Sequence, residues 1–290
     1  MDPLPMPLKE VDRVEVLTLM DNFVDVLLED TAVVTRPPMA VGEEIPTDTL
    51  MAEHGLCLLV KVQRGTEKHT ILLDTGYNNM GVLHNMDKLA VDPNEMEAIV
   101  LSHAHMDHTG SLHAILGKIS NPIPLVVHPD AFLYPRFVKE KDGSKKRFPR
   151  TLVRQDLDQR NVKIVESGTP TPILNASILV TGEIERTTEF EKGMPNALVE
   201  RDGSLEQDPI KDDQALVINL NGKGLVVISG CSHAGIINTV RYAKKLTGVE
   251  KVYAVLGGFH LSGAFFEKIL KKTIDELKAL SPAVVVPMHC

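Results

Sequence analysis

Nine residues, Ser102-His103-Ala104-His105-Met106-Asp107-His108-Thr109-Gly110, constrain this chain more than any other part of it. Three imidazoles and a carboxylate fall within six residues, directly after the apolar run Ala98-Ile99-Val100-Leu101. Neutral imidazole is the commonest protein metal ligand, and mixed His/Asp donor sets suit zinc and neighbouring divalent ions. His103 and His105 are two apart, so an extended backbone points them to the same side. Asp107 and His108 follow where the chain must turn, within reach of a second metal beside the first. A buried strand that ends in a metal-binding loop is the expectation.

The rest of the chain alternates strand-like and helix-like stretches around that loop. Val14–Met20, Leu56–Val62 and Thr70–Asp74 are β-branched or leucine-rich and read as strands. Asn78–Leu89 carries apolar residues at helical spacing and stops at Asp92-Pro93. A helix is expected over about 110–116, a strand over Leu125–His128, and a short helix opened by Pro129-Asp130. Ala215–Leu220 and Gly224–Ser229 form an expected hairpin around Asn221-Gly222. A helix to about Leu246, a strand Val252–Leu256, an amphipathic helix Phe265–Leu280 and a strand Ala283–Val286 complete the pattern. Strand, polar loop and helix recur in both halves, which implies a layered α/β sandwich with ligands at strand ends. Two stretches break the rhythm: a basic one at 136–160 and an acidic, glycine-spotted one at 183–213. Both read as lid or binding-loop segments.

Composition removes several classes of function. A chain of 290 residues with 43% hydrophobic and 24% charged residues fits one large domain. A net charge of −8 disfavours a general nucleic-acid binder. No stretch reaches the length of a membrane span, and Met1–Pro7 lacks the basic start and apolar core of a signal peptide. With three cysteines, Cys57, Cys231 and Cys290, a disulfide framework is not expected, and a cytoplasmic setting is. The partner expected is a small molecule, with no membrane or nucleic acid; self-association is left open.

Ser102–Gly110 resembles the His-x-His-x-Asp-His signature of the metallo-β-lactamase superfamily. Leu73-Asp74-Thr75-Gly76 resembles its upstream Asp-x-Gly, and Val286-Pro287-Met288-His289 its last ligand motif. Met20-Asp21-Asn22, Ser229–Asn238 and Leu256–Leu261 are similar to one branch, that of dihydropterin-ribofuranosylaminobenzene-phosphate synthases. The resemblance spans about Val14 to Cys290 and implies a four-layer αβ/βα sandwich. It implies that His103 and His105 hold a first metal, and Asp107, His108 and His289 a second. Asp74 would support the ligand loop through hydrogen bonds. The usual Gly-His-Ser/Thr is missing: Asp208–Gln214 stands in its place, and Cys231 stands where a bridging Asp is usual. Cys231 and His233 are therefore the candidates to complete the donor set. Relatives usually continue past the final His-Cys with a further helix, so a domain without its C-terminal helix is the expectation.

His260, after Gly257-Gly258, reads as a substrate contact or proton-transfer residue. Asn22 and His128 read as substrate contacts, with Asp21 beside Asn22 at the pocket rim. His54, His69, His84 and His113 receive no role, and Cys57 reads as core. The primary expectation is a metal-dependent hydrolase. Two divalent ions, zinc first and iron or manganese as alternatives, would activate a shared water against a small anionic substrate, with Asp107 orienting it. The basic segment would bind phosphate or carboxylate. The resemblance also implies a pterin-linked transferase as an alternative, and the missing motif a metal-binding sensor without turnover.

Overall fold

The structure is a computed structural model that describes residues 5–6, 8–158, 160 and 162–290; Met1–Leu4 and Pro7 of the N-terminal stretch lie outside them. Two sheets face each other. One runs in the order Arg13–Met20, Cys57–Arg64, Glu67–Leu73, Ala98–Val100, Pro124–Val127 and Lys163–Glu166. The other runs Thr171–Ile173, Ile178–Val180, Ala215–Leu220, Gly224–Ser229, Val252–Gly258 and Val284–Met288, with Glu10–Val11 as a seventh strand beside Ala215–Leu220.

The period-2 geometry of the strands builds the layers. Leu58, Val60 and Val62 point into the core shared by the two sheets, together with Val226 and Ile228 from the opposite side. Their neighbours Cys57 and Leu59 face outward onto Val82, Met86, Leu112 and Ile115, which belong to the helices Gly81–Lys88 and Leu112–Leu116. Leu225 and Val227 face outward onto Ile236, Ile237, Val240 and Ala243 of the helix Ile236–Thr247. Helix, sheet, sheet, helix is the order of layers. Each fully buried aliphatic side chain in them contributes about 1.5–3 kcal/mol.

The hairpin forms where Asn221-Gly222 marks it, with Leu220 paired to Gly224 and Ala215 to Ser229. Elsewhere boundaries move. The helix expected over 110–116 runs over Leu112–Leu116, preceded by a separate short helix Met106–Thr109, and the first long helix starts at Gly81, not Asn78. The helix Glu267–Leu280 buries its stripe incompletely: Leu277 and Leu280 pack on the core, while Leu270 and Ile274 are about 40% exposed. It packs beside the helix Ile236–Thr247, with Arg241 donating to Glu276 across the pair.

The two stretches expected to be irregular pair with each other. Arg136–Lys139 lies between Lys145–Arg147 and Ala197–Arg201, and Ser204–Gln207 completes a small antiparallel sheet. The acidic stretch also caps a helix from a distance. The two Glu191 carboxylate oxygens accept hydrogen bonds from the backbone N–H groups of Ile237 and Asn238, satisfying donors that a helix start leaves open. Gly235, at φ +99, makes room for that carboxylate: a Cβ there would meet Glu191 at 2.2 Å.

Strand direction places the site. Glu67–Leu73, Ala98–Val100 and Pro124–Val127 are parallel, as are Gly224–Ser229, Val252–Gly258 and Val284–Met288. Their C-terminal ends deliver Asp74, the 102–108 loop, Cys231, His233, His260 and His289 to one rim of the sandwich.

Candidate metal centre

Two rings of donors meet at that rim. In the first, His103 Nε2 and His105 Nδ1 are 3.0 Å apart, and His233 Nε2 is 3.2 Å from each. Three nitrogens on a tetrahedral zinc with bonds of 2.0–2.1 Å would stand about 3.3 Å apart. Ser102 fixes one tautomer: its hydroxyl donates to Asp74 Oδ2 and lies 3.0 Å from His103 Nδ1, whose N–H it can accept. His103 Nε2 then presents a lone pair inward. Among the described residues His233 Nδ1 is buried without a hydrogen-bond partner, so no bond at that nitrogen sets the orientation of the imidazole. Burial, reinforced by neighbouring imidazoles, drives His103 and His233 well below the usual imidazole pKa, and burial brings His105 to about 4. The trio is neutral and ready to donate. The donor set fits a divalent cation.

The second ring is Asp107, His108, Cys231 and His289, all buried. His108 Nε2 lies 3.1 Å from Cys231 Sγ, and His289 Nε2 lies 3.1 Å from Asp107 Oδ2. The other His108 nitrogen, Nδ1, donates to Asp74 Oδ2 at 2.6 Å, the arrangement that aims a metal-ligating imidazole. Asp74 Oδ1 also accepts the Ser102 backbone N–H at 2.7 Å, so one carboxylate supports both rings. Here charge prevails over burial. Burial opposes protonation of His108 and His289, yet Asp107 and Asp74 raise the first, and Asp107 with Cys290 takes the second to about 10. Burial would also raise Asp107, but His108 and His289 hold it well below the usual carboxylate range.

Close approach of the two loops depends on Gly230, where a Cβ would lie 2.0 Å from Ser102 Oγ. His260 lies at the same rim, its ring 4.6 Å from that of His233 and its Nδ1 3.3 Å from Cys290 Sγ. With Cys231 and His233 it forms a third group of converging donors.

Two expected substrate contacts are used elsewhere. Asn22 spends its side chain on His289: Oδ1 is 3.0 Å from His289 Nδ1, and the amide donates to the His289 carbonyl. Asp21 accepts the His289 backbone N–H at 2.7 Å. His128 is buried, and its Nδ1 accepts the Asp130 N–H at 3.0 Å, capping the turn Pro129–Phe132. Of the basic segment, Arg136 is buried between Asp208 and Asp212, and Arg154 pairs with Glu166.

Other residues were missed. His54, passed over as ordinary, has Nε2 3.5 Å from Asp107 Oδ2 and its ring 5.1 Å from that of His289. Nothing local marks it, because it reaches the rim from a segment without regular structure. Cys290 lies 3.3 Å from Cys231 Sγ; its place next to His289 was the available signal. A cleft of about 460 Å³ opens nearby, bordered by Glu183, Arg186, Lys211, Asp213, Ala234 and Tyr242.

Residues 51–229 match the family model described as Metallo-beta-lactamase superfamily. The chain belongs to the metallo-β-lactamase superfamily. It is 35% identical to the 7,8-dihydropterin-6-methyl-4-(β-D-ribofuranosyl)-aminobenzene-5'-phosphate synthase of Methanocaldococcus jannaschii, over 98% of this chain and 90% of that protein. An uncharacterized protein of the same organism is 31% identical, over 82% of this chain and 84% of that protein. The crystal structure of a metal-dependent hydrolase of the β-lactamase superfamily superposes with a TM-score of 0.70 at 24% identity, covering 96% of this chain and 88% of that one. That likeness shows the fold. Membership of this superfamily implies metal binding, which the two rings suit. Among the described residues, no helix is long and apolar enough to cross a membrane.

Proposed function

We propose that this protein is a metal-dependent enzyme that joins a dihydropterin to a ribofuranosylaminobenzene phosphate or a close analogue. One observation carries the reading: 35% identity to the archaeal synthase holds across 98% of the chain, and the donor rings lie within that span. His103, His105 and His233 would hold one divalent ion, and Asp107, His108, Cys231 and His289 a second. Bound divalent ions supply Lewis acidity that stabilises negative charge developing on a reacting oxygen. A thiol in the second set favours zinc or iron over manganese, because thiolate suits softer ions.

The chain's own residues supply position and proton handling. Asp74 orients His108 and the 102–108 loop. Asn22 and Asp21 orient His289. His54, with a side chain 61% exposed, is the acid–base group nearest solvent, and His260 is the second, reaching the rim beside Cys290. The Phe148 ring stacks on His105 at 4.8 Å and offers an aromatic face where a planar substrate would enter.

Hydrolysis of a small anionic ester is the second reading, favoured by the solvent-open His54 beside Asp107. The two separate cleanly. The protein is incubated with a dihydropterin carrying diphosphate on its 6-methyl carbon and with the ribofuranosylaminobenzene phosphate, in parallel with a phosphoester and lactone panel. The expected result is diphosphate release that depends on the aromatic acceptor. Turnover of esters with no consumption of the pterin would replace this reading with the hydrolase.

A further inference from the structure

The segment Asp208–Gln214 lacks the histidine usual at its place in the superfamily, yet it is threaded through the centre of the site. Gln214 donates its backbone N–H to the Ser102 carbonyl at 2.9 Å and its side-chain amide to the Leu101 carbonyl at 2.8 Å. Asp212 Oδ2 accepts the backbone N–H of Ala104, the residue between His103 and His105, at 2.9 Å. Asp213 Oδ2 accepts the backbone N–H of Ala234, next to His233, at 2.8 Å. Both carboxylates are fully buried.

We infer that Asp212 and Asp213 are positioning residues that staple the two loops of the imidazole trio at a fixed separation. Consecutive residues on one backbone reach opposite loops: Asp212 sets the His103–His105 loop, and Asp213 sets the His233 loop. The two carboxylates differ in what surrounds them. Asp212 shares both oxygens with the buried Arg136 guanidinium, Oδ1 with Nη2 at 2.6 Å and Oδ2 with Nη1 at 3.1 Å. Arg136 opens the strand Arg136–Lys139 and also donates to the Asp130 carbonyl at 2.9 Å, so this half of the staple is tied to the small sheet. Asp213 Oδ1 has no hydrogen-bond partner. The partners of this carboxylate are the backbone N–H groups of Ala234 and His233, which an amide oxygen can accept as a carboxylate does. At Asp212 an amide would present an N–H to a guanidinium, leaving two buried donors face to face.

The inference rests on the reading that the trio holds an ion, and its test keeps the two apart. Zinc affinity is measured by chelator competition on the full chain for wild type, His233→Ala, Asp213→Ala, Asp213→Asn and Asp212→Asn. Wild type is expected to bind two ions, and His233→Ala to lose one of them. Asp213→Ala should weaken that same ion by about 10–100-fold, the usual cost of removing a group that orients a ligand, and leave the other unchanged. Asp213→Asn should return to near wild type, whereas Asp212→Asn should not. An Asp213→Ala protein that binds both ions as tightly as wild type overturns the staple. Equal weakening of both ions in the alanine and asparagine variants also overturns it, since that marks a general structural role. A wild type without zinc overturns the metal reading, and the staple with it.

Discussion

The two donor rings share a rim and one supporting carboxylate, yet they are built on opposite electrostatic principles. The trio of His103, His105 and His233 is kept neutral by burial, with His105 down to about 4. In the mixed ring Asp107 draws protons onto its neighbours, and His289 rises to about 10. Desolvation wins at His105, where Asp107 and Asp212 act without a hydrogen bond to the ring, and loses at His108 and His289, which pair directly with a carboxylate. The first ring is therefore preorganised to receive a cation, while the second is internally paired and must surrender protons, from His289 and the Cys231 thiol, to do so. Metal affinity at the two positions should differ in pH dependence more than in strength.

The largest expected effect comes from removing the trio. In His103→Ala/His105→Ala one equivalent of metal is lost, and activity falls by at least about a hundredfold, the rate equivalent of several kcal/mol of charge stabilisation. Full metal content with full activity in that variant would abolish the distinction between the rings. Next in size is Asp74→Ala, which removes support common to both. Affinity for both ions should drop by about 10–100-fold, and loss at only one ring would show that Asp74 serves that ring alone.

The third prediction uses the pH contrast. Binding at the mixed ring displaces a proton from His289 anywhere below its pKa of about 10 and another from the Cys231 thiol, which burial pushes up, so affinity there should rise by well over about tenfold per pH unit near neutrality. The trio holds no proton in that range, and its affinity should stay flat. Competition titrations at several pH values read both slopes, and equal slopes would contradict the comparison.

The smallest effect lies away from the site, at His69 between Glu67 and Glu97, 3.1 and 3.0 Å from its ring nitrogens. Partial burial opposes the charge, but the hydrogen bonds to Glu97 and Glu67 prevail and raise the pKa above 6.5. A raised pKa in the folded state gives stability that is complete below the unfolded value and fades as pH rises through the folded one. His69→Gln should therefore lower the urea midpoint slightly at about pH 6 and hardly at all at about pH 9. The same loss at both would remove the charge pairing.

What the sequence revealed follows the range of the interactions involved. The hairpin at Asn221-Gly222 and the run His103–His108 are local, since their chemistry and spacing lie within a few residues. Cys231 and His233 were visible through the resemblance, which sets Cys231 where a bridging Asp is usual, with His233 two residues on. The small sheet was not, because Arg136–Lys139 finds its partner near residue 198 through long-range pairing of short strands. His54 reaches Asp107 from a segment with no periodic pattern. Asn22 was read as facing substrate, but which way a turn residue points depends on what packs beside it, here His289. Asp212 and Asp213 were taken for the remnant of a missing motif. Their partners are backbone N–H groups, which leave no trace in residue types.

The central claim is that imidazoles from separate strand ends converge on a cation, and an anomalous difference map recorded at the metal edge from zinc-loaded crystals tests it most directly. The account predicts one peak about 2.0–2.1 Å from the facing nitrogens of His103, His105 and His233, and a second among Asp107, His108, Cys231 and His289. No peak at the trio, or a peak there with the His233 ring turned away, would contradict it.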